Sequence, residues 1–317
     1  MEEKDPRFGP FTEQLERDGF FVWPGLLPAD LIDQHLADFA ALSSHLGIQP
    51  GEDFHAYPKE KQAEIKQGRY DFHKENPVTQ RMIFNEDLIA FLRGYFEDEP
   101  VMRQPETGLV HRRTPDHTDS LDFKVSPARR EIRIWCALED IHPDSGPVYY
   151  VPGSHRSISA NLEREVLTEN PEFVSLLQSQ MKPTTAFDFF AATKPLWNYV
   201  KQRKLPTAVL ECGAERTVYP LKKGDVVVFS SDVVHGTARC NDPSLTRKYF
   251  VSYWAAASAV WYHSRSYWGP LHDYRCAENA VSAPVETTPL GKRMSFQELH
   301  AAYMSSFEKT VVHPAQG

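Results

Sequence analysis

The chain has 317 residues, of which 41% are hydrophobic and 25% are charged, and this globular composition excludes an intrinsically disordered protein. The formal net charge of −8 argues against a nucleic-acid partner, because nucleic-acid binding depends on Lys and Arg side chains that neutralise phosphates. No run of residues approaches the roughly 18 apolar positions of a membrane span, and the acidic start differs from a secretory signal, so we expect a cytoplasmic protein with no membrane partner.

The N-terminal third of the chain is predicted to be mainly helical. Residues 28–47 place apolar side chains at helical spacing, and Asn85 is a suitable N-cap for another helix over 85–96. A charged segment predicts an exposed helix over 58–67, and a short strand is expected over 19–24. We expect these elements to flank a core that later residues build.

From about residue 107, the side chains follow a period of two, which is typical of β-strands. The predicted strands cover residues 108–112, 121–125, 131–138, 148–151, 208–212, 225–229, 233–238 and 247–254. Many short strands with few helices between them favour an antiparallel barrel or jelly roll over a parallel α/β sheet.

This organisation predicts a single domain over residues 1–317. Its parts are a mainly helical flank (1–106), barrel strands (107–157 and 206–257), a helical insertion (158–205) and a C-terminal extension (258–317). The insertion separates two strands, a position where active-site lids often occur. A packed pair of helices is the alternative to a lid. The aromatic side chains that a lid could place on a bound molecule are Phe187, Phe189, Phe190, Trp197 and Tyr199.

A candidate metal motif follows the first predicted barrel strand, where His117 and Asp119 stand two positions apart. Side chains at positions i and i+2 of an extended chain point the same way, so both can bind one ion. The same spacing recurs at His142 and Asp144. That copy is the weaker candidate, because Pro143 cannot donate to a sheet and the residues after it indicate a turn.

His235 is the candidate for a third ligand, at the head of a strand that follows an apolar strand and a turn. Two histidines and one carboxylate on one side of a metal leave open positions, as in non-haem Fe(II) oxygenases. Structural zinc instead has four protein ligands, usually with cysteine among them. The alternative for His235 is a strand-end histidine that is hydrogen-bonded to a neighbouring carbonyl.

Arg247 lies twelve positions after His235 (247 minus 235) and begins an aromatic strand. A guanidinium binds a carboxylate through two hydrogen bonds, so Arg247 could anchor the far carboxylate of a dicarboxylic cosubstrate whose other end the metal holds. Pairing with an acidic neighbour on the barrel rim is the alternative for this residue.

These motifs together resemble the phytanoyl-CoA dioxygenase family of Fe(II)- and 2-oxoglutarate-dependent oxygenases, over most of the chain. The family's metal motif often has Gln in the middle, where this chain has Thr118. The stretches that carry the resemblance are residues 18–27, 117–119, 135–138, 146–147, 151–155, 224–229 and 235–237, with Asn241, Ser244 and Arg247.

The resemblance implies a double-stranded β-helix, a jelly-roll, cupin-like barrel with an N-terminal helical layer. It implies that His117, Asp119 and His235 bind Fe(II) as the catalytic centre. It also implies that Arg247 and Thr237 hold 2-oxoglutarate and that Trp135 lies against it, with O2 as the second cosubstrate. His155, in the Pro-Gly-Ser-His turn, is expected to be structural.

The implied reaction oxidises an unactivated C–H bond of a small-molecule substrate and releases succinate and CO2. Halogenating relatives replace the carboxylate ligand with a small residue, so Asp119 favours hydroxylation or a related oxidation. A biosynthetic or natural-product intermediate is the expected substrate class. The alternative from another class is a catalytically silent jelly-roll protein that binds a metabolite.

A cluster of basic residues near the metal motif suggests that the substrate is anionic. The candidate substrate residues are Arg113, Lys124 and Arg133. By strand parity, Arg133 shares a face with Trp135 and points toward the expected cavity, where a buried Arg needs an anion. An internal carboxylate, the cosubstrate and the substrate can each supply that anion, and a basic surface loop is the alternative for the cluster as a whole.

Overall fold

The computed structural model describes residues 5–48, 56–62, 64–65, 72–73, 76–110, 113–121, 124–126, 130–172, 195, 198–262 and 281–282. These residues form antiparallel sheets with flanking helices, which confirms the predicted fold class. Among the described helices, none combines the length and the apolar character that a membrane crossing requires.

The helices lie in the N-terminal third and in or next to the insertion. They are α1 (Gly9–Asp18), α2 (Ala29–His45), α3 (Pro77–Ile83), α4 (Glu86–Phe96), α5 (Ser154–Ser157), α6 (Ser159–Glu169), a π-helical turn (Val200–Lys204) and α7 (Leu205–Glu211). The helices predicted over 28–47 and 85–96 are confirmed as α2 and α4. Asn85 caps α4 as expected, since its side chain accepts a hydrogen bond of 3.2 Å from the backbone N–H of Leu88.

The strands are β1 (Phe20–Trp23), β2 (Pro100–Gly108), β3 (Lys124–Ser126), β4 (Glu131–Ala137), β5 (Val148–Tyr150), β6 (Thr217–Val218), β7 (Val226–Ser230), β8 (His235–Thr237), β9 (Tyr249–Ala256), β10 (Val260–Tyr262) and β11 (Val281–Ser282). The largest sheet has six strands in the order β1-β7-β4-β9-β2-β11. Because successive side chains of a strand point to opposite sides, the two faces of this six-stranded sheet bury different partners. One face packs against the helices through Ile134 and Cys136, and the other carries Trp135.

A three-stranded sheet in the order β6-β5-β8 packs on the face that carries Trp135. The ring of Tyr150 on β5 stacks on Phe20 of β1 at 4.7 Å between centroids, so an apolar layer joins the two sheets. The third sheet is the pair β10-β3. Among the described residues the sheets remain separate, so this jelly-roll arrangement is not a closed barrel.

Several element boundaries differ from the predictions. The strand predicted over 208–212 is wrong, because these residues belong to helix α7. The first strand of the large sheet after β1 is β2, which begins at Pro100 and not at 108. The predicted flank over 1–106 therefore contains β1 and most of β2. The segment over 121–125 is a 3-10 turn (Asp119–Leu121) followed by β3.

The insertion and the C-terminal part are described only in sections. The two ends of the insertion are tied together by Lys204, whose Nζ lies 2.7 Å from Glu169 and 3.4 Å from Glu165. Phe187, Phe189, Phe190 and Trp197 lie outside the described residues, and the lid remains a prediction. Beyond residue 257, β10 pairs with β3 and β11 pairs with β2, so part of the predicted extension belongs to the sheets.

Candidate metal centre

Three side chains converge beside the apolar layer that joins the two sheets. His117 and His235 exchange backbone hydrogen bonds of 3.0 Å in both directions, which sets the loop before Asp119 next to β8. The ring of His235 also packs against Phe229 at 5.0 Å between centroids. One ligand atom from each of His117, Asp119 and His235 lies within 4.8 Å of the others. The structure thus brings together the three residues predicted as metal ligands.

Backbone carbonyls orient both histidine rings. Nδ1 of His117 lies 3.0 Å from the carbonyl oxygen of Pro115, and Nδ1 of His235 lies 3.1 Å from that of Val233. A carbonyl oxygen only accepts hydrogen bonds, so each Nδ1 carries the proton and donates it. In the neutral rings, each Nε2 then keeps a lone pair for a metal. These Nε2 atoms lie 3.5 and 3.9 Å from Oδ1 of Asp119.

The second oxygen of Asp119 is bound by a buried arginine. Nε of Arg133 lies 3.2 Å from Oδ2 of Asp119, and Nη1 of the same guanidinium lies 2.9 Å from Oε2 of Glu131. The guanidinium also lies 4.5 Å from the ring centre of Tyr253. Arg133 therefore occupies one Asp119 oxygen and leaves Oδ1 facing the two imidazoles.

The protonation states of the site suit a divalent cation. Burial acts to raise the pKa of Asp119, but the charges of His235, His117 and Arg133 outweigh it and hold the pKa below its ordinary value. Burial, helped by the charge of His117, lowers the pKa of His235 to about 4. Near neutral pH, Asp119 is ionised and His235 is neutral, and these are the forms that bind a metal.

Arg247 is buried without a carboxylate among the described residues. Its Nη1 donates a hydrogen bond of 2.6 Å to the carbonyl oxygen of Gly146, and its Nε has no hydrogen-bond partner in this part of the chain. Burial lowers the pKa of this guanidinium, because nothing described here offers it a full negative charge. The rim ion pair considered as an alternative is absent from the described residues, and an anionic ligand suits this environment.

The other two predicted cosubstrate residues also line this region. Trp135 stacks on Tyr249 with 5.6 Å between ring centroids, and the guanidinium of Arg247 lies 5.5 Å from the same Tyr249 ring. The hydroxyl of Thr237 accepts a hydrogen bond of 2.9 Å from the backbone N–H of Thr114. Trp135 and Arg247 thus both contact the ring of Tyr249, and the roles of Trp135 and Thr237 toward a cosubstrate stay predictions.

The three predicted substrate residues have different environments. Arg113 is exposed in the segment that leads to His117, and Lys124 begins β3. Arg133 faces the interior, as strand parity predicted, but its anionic partners in the structure are Asp119 and Glu131. Internal carboxylates thus supply the anion that this buried guanidinium requires, and substrate binding by the three residues stays a prediction.

A polar cluster that the sequence analysis did not identify supports both histidine segments. The hydroxyl of Tyr149 donates a hydrogen bond of 2.6 Å to Asp116, the residue before His117. Arg216 binds the other oxygen of Asp116 at 2.6 Å. Tyr149 also pairs in register with Gly236, the residue after His235. The sequence shows two adjacent tyrosines, Tyr149 and Tyr150, as candidates for an interior position. Only the strand register shows which of the two rings faces inward.

Two other histidines lie outside the converging group. His142 and Asp144 are on an exposed turn with 3.9 Å between Nδ1 and Oδ2, and no third ligand joins them among the residues described. Nε2 of His155 lies 3.1 Å from the carbonyl oxygen of Glu16 at the end of α1. The structure therefore favours the motif at His117 over its second copy.

Comparison with protein families shows which family this chain belongs to. A family model described as "Phytanoyl-CoA dioxygenase (PhyH)" matches residues 15–241, which include every predicted metal ligand. The chain belongs to the phytanoyl-CoA dioxygenase family. Members of this family are non-haem oxygenases that use Fe(II) and 2-oxoglutarate, so the predicted family, enzyme class and cofactors are confirmed at the family level.

Curated relatives carry the same family name at low identity. The "Phytanoyl-CoA dioxygenase domain-containing protein 1 homolog" of Caenorhabditis briggsae is 23% identical over 64% of this chain, and the match spans 65% of the relative, less than two thirds of its length. The Caenorhabditis elegans homolog is 21% identical over 70% of this chain and 82% of the relative.

Solved structures share the fold of this family member. The epimerase SnoN, in complex with Fe3+, alpha ketoglutarate and nogalamycin RO, has a TM-score of 0.56 and 16% identity over 92% of this chain and 98% of SnoN. The non-heme monooxygenase ThoJ, in a nickel complex, has a TM-score of 0.53 and 13% identity over 95% of both chains. These likenesses show the double-stranded β-helix fold.

Proposed function

We propose that this chain is an Fe(II)- and 2-oxoglutarate-dependent dioxygenase that oxidises an unactivated C–H bond of a small metabolite. The observation that carries the proposal is the convergence of His117, Asp119 and His235, whose ligand atoms lie within 4.8 Å of one another. Two imidazole nitrogens and one carboxylate oxygen are the donor set of non-haem Fe(II) oxygenases.

The residues present fit both iron and its cosubstrate. Each histidine donates its Nδ1 proton to a backbone carbonyl, so the Nε2 atoms of both rings can bind the metal. The buried guanidinium of Arg247 lacks a carboxylate partner in the described part of the chain, and the distal carboxylate of 2-oxoglutarate supplies one. Thr237 and Trp135 are proposed to complete this cosubstrate pocket.

Bound iron would supply O2 activation coupled to oxidative decarboxylation of 2-oxoglutarate, with release of succinate and CO2. The residues of the chain hold and orient these partners. Asp119 presents Oδ1 to the metal while Arg133 holds Oδ2, and Arg247 holds the far end of the cosubstrate. The apolar layer around Phe229 limits water beside His235.

The substrate class and the outcome of the reaction are parts of the same proposal. The carboxylate of Asp119 occupies the position that halogenating relatives leave open, which supports hydroxylation or a related oxidation. A biosynthetic or natural-product intermediate, in a cytoplasmic protein, is the class to screen first. An anionic group on the substrate would be bound by Arg113 or Lys124 rather than by Arg133, whose carboxylate partners are internal.

The test is substrate-dependent succinate formation across a panel of metabolites, in the wild-type enzyme and in ligand variants. His117→Ala, Asp119→Ala and His235→Ala should each abolish it, because the metal centre needs all three ligands. His142→Ala is the matched control, since it removes the histidine of the second, exposed motif, and it should retain full activity. Turnover by any of the three ligand variants would contradict the proposal, and folded wild-type protein that never forms succinate would favour the silent metabolite-binding protein.

A further inference from the structure

Tyr150 is a buried tyrosine whose ring lies beside His235, one of the candidate metal ligands. Its ring is 1% exposed, stacks on Phe20 and meets Phe229 edge-on at 5.3 Å between centroids. Tyr150 pairs in register with His235, so the two side chains share one face of their sheet, with 6.0 Å between ring centroids. The ring therefore belongs to the apolar layer and lies next to a candidate metal ligand.

The hydroxyl of Tyr150 has no hydrogen-bond partner among the described residues. Buried hydroxyls are nearly always paired, because burial without a partner forfeits their bonds to water. The charged groups that act on this hydroxyl are Asp119 at the metal centre and Arg247 at the proposed cosubstrate anchor. The hydroxyl thus lies within electrostatic reach of both ends of the proposed cosubstrate pocket.

Packing alone does not account for this hydroxyl. The ring contacts of Tyr150 are with Phe20, Phe229 and His235, and a phenylalanine would make all of them. Nε of Arg247 is a second buried donor without a partner in the described residues. A carboxylate has several lone pairs and accepts hydrogen bonds from more than one donor, so one bound carboxylate would satisfy both groups.

We propose that Tyr150 is a further ligand of 2-oxoglutarate, whose phenol donates a hydrogen bond to the distal carboxylate that Arg247 binds. This assignment rests on the proposed function, which supplies the dicarboxylate. The neutral phenol of Tyr150 is a second donor beside the charged guanidinium of Arg247. A bound carboxylate would accept hydrogen bonds from both buried groups.

The test is the affinity of Tyr150→Phe for 2-oxoglutarate, measured by calorimetry under anaerobic conditions with Mn(II) at the metal site. Losing a hydrogen bond to a carboxylate should raise the Kd by about 10- to 100-fold. The Kd for Mn(II) alone should stay unchanged. Tyr219→Phe is the matched control, since Tyr219 contacts the same Phe20 ring and is only partly buried, and it should bind 2-oxoglutarate as the wild type does.

A second ligand identifies the end of the cosubstrate that Tyr150 contacts. 2-Oxopentanoate has the same carbon chain as 2-oxoglutarate and lacks the distal carboxylate, so Tyr150→Phe and wild type should bind it equally. Equal loss for both ligands would show that Tyr150 shapes the pocket without binding the carboxylate. Unchanged affinity for 2-oxoglutarate would also overturn the inference.

The outcomes separate this inference from the proposed function. Wild-type protein that binds Mn(II) but no 2-oxoglutarate would contradict the proposed function itself. Wild-type binding together with an unaffected Tyr150→Phe would contradict only the role of Tyr150.

As a measurement that needs no variant, the 13Cζ resonance of labelled Tyr150 in the wild type should shift with 2-oxoglutarate and stay in place with 2-oxopentanoate. An unshifted resonance with 2-oxoglutarate would refute the hydrogen bond.

Discussion

Nε of Arg133 lies 3.2 Å from Oδ2 of Asp119, the carboxylate oxygen that does not face the two histidines. Through Nη1, the same guanidinium binds Glu131 at 2.9 Å. All three side chains are buried. Arg133 thus compensates two carboxylates at once and determines which oxygen of Asp119 is available to a metal, as outer partners of metal ligands commonly do.

Replacing Arg133 with Met should weaken metal binding and destabilise the fold. We expect metal affinity to fall by about 10- to 100-fold, since Asp119 loses the partner that orients it. Glu131 would lose the guanidinium that pairs with it, and removing one member of a buried ion pair costs about 3–5 kcal/mol of unfolding free energy. Mn(II) calorimetry and urea unfolding measure the two effects.

The double variant Arg133→Met/Glu131→Gln separates stability from metal binding. It removes the Arg133–Glu131 pair and leaves Asp119 without Arg133, so the part of the stability loss that comes from Glu131 should return while metal affinity stays low. Wild-type metal affinity in a stable double variant would show that Arg133 does not orient Asp119.

The substitution Arg247→Lys should raise the 2-oxoglutarate concentration that half-saturates the enzyme by at least about tenfold. An ammonium is a point charge and cannot reproduce the paired hydrogen bonds of a guanidinium. Titration of the anaerobic metal complex with 2-oxoglutarate measures this change without turnover. An unchanged requirement would place the anchor for the distal carboxylate elsewhere.

Gly19 should tolerate no side chain. It ends helix α1 at a φ of +85°, and a Cβ built there lies 2.6 Å from Nδ1 of His155. Gly19→Ala should therefore lower the unfolding free energy by about 1–2 kcal/mol from the backbone alone, with the clash added to it. Urea unfolding measures this difference.

Gly94 provides the matched control for Gly19. It lies inside helix α4, and a Cβ built there meets nothing within 4 Å. Gly94→Ala should stabilise the protein by about 0.5–1 kcal/mol, since alanine is the better helix former. Equal effects of the two substitutions would contradict the conformation described at Gly19.

Acid should destabilise the protein partly through His35. This histidine is fully buried, with Nδ1 2.8 Å from the hydroxyl of Thr79 and Nε2 3.1 Å from that of Thr107. Burial lowers its pKa from 6.5 to about 4, against the opposing charge of Asp38. Between these values the unfolded chain takes up a proton that the folded chain does not, so stability is complete above pH 6.5 and falls as the pH drops toward 4.

The variant His35→Gln isolates this contribution. Its unfolding free energy should fall less steeply between pH 6.5 and 4 than that of the wild type, by up to about 3 kcal/mol over the window. All other titrating groups are common to both proteins and cancel in the difference. Parallel pH curves would show that His35 does not titrate with folding.

The elements that the sequence predicted well have an unambiguous period. Helix α2 and strand β4 repeat their apolar side chains at helical and strand spacing over many residues. The run over 208–212 is short and mostly apolar, so its periodicity does not distinguish a helix from a strand. In the structure this run continues a π-helical turn, and Pro206 stands near the helix start, where proline is well tolerated. Pro100 and Pro105 concealed the first half of β2, because prolines argue against a strand.

The site was predictable where it depends on local spacing. His117 and Asp119 are two positions apart, and His235 follows an apolar strand, so sequence patterns identify all three. The role of Tyr150 depends on the register between β5 and β8, and a slip of one residue would place Tyr149 inside instead. That register is a long-range property of the sheet, which no local pattern in the sequence contains.

The most direct test of the proposed iron centre is the absorption spectrum of the anaerobic protein with Fe(II) and 2-oxoglutarate. When both bind the same site, a weak visible charge-transfer band should appear that neither produces alone. The wild type should show this band at one equivalent of iron, and His235→Ala should lose it while staying folded. A wild-type protein without the band, or a His235→Ala protein that keeps it, would contradict the proposed iron centre.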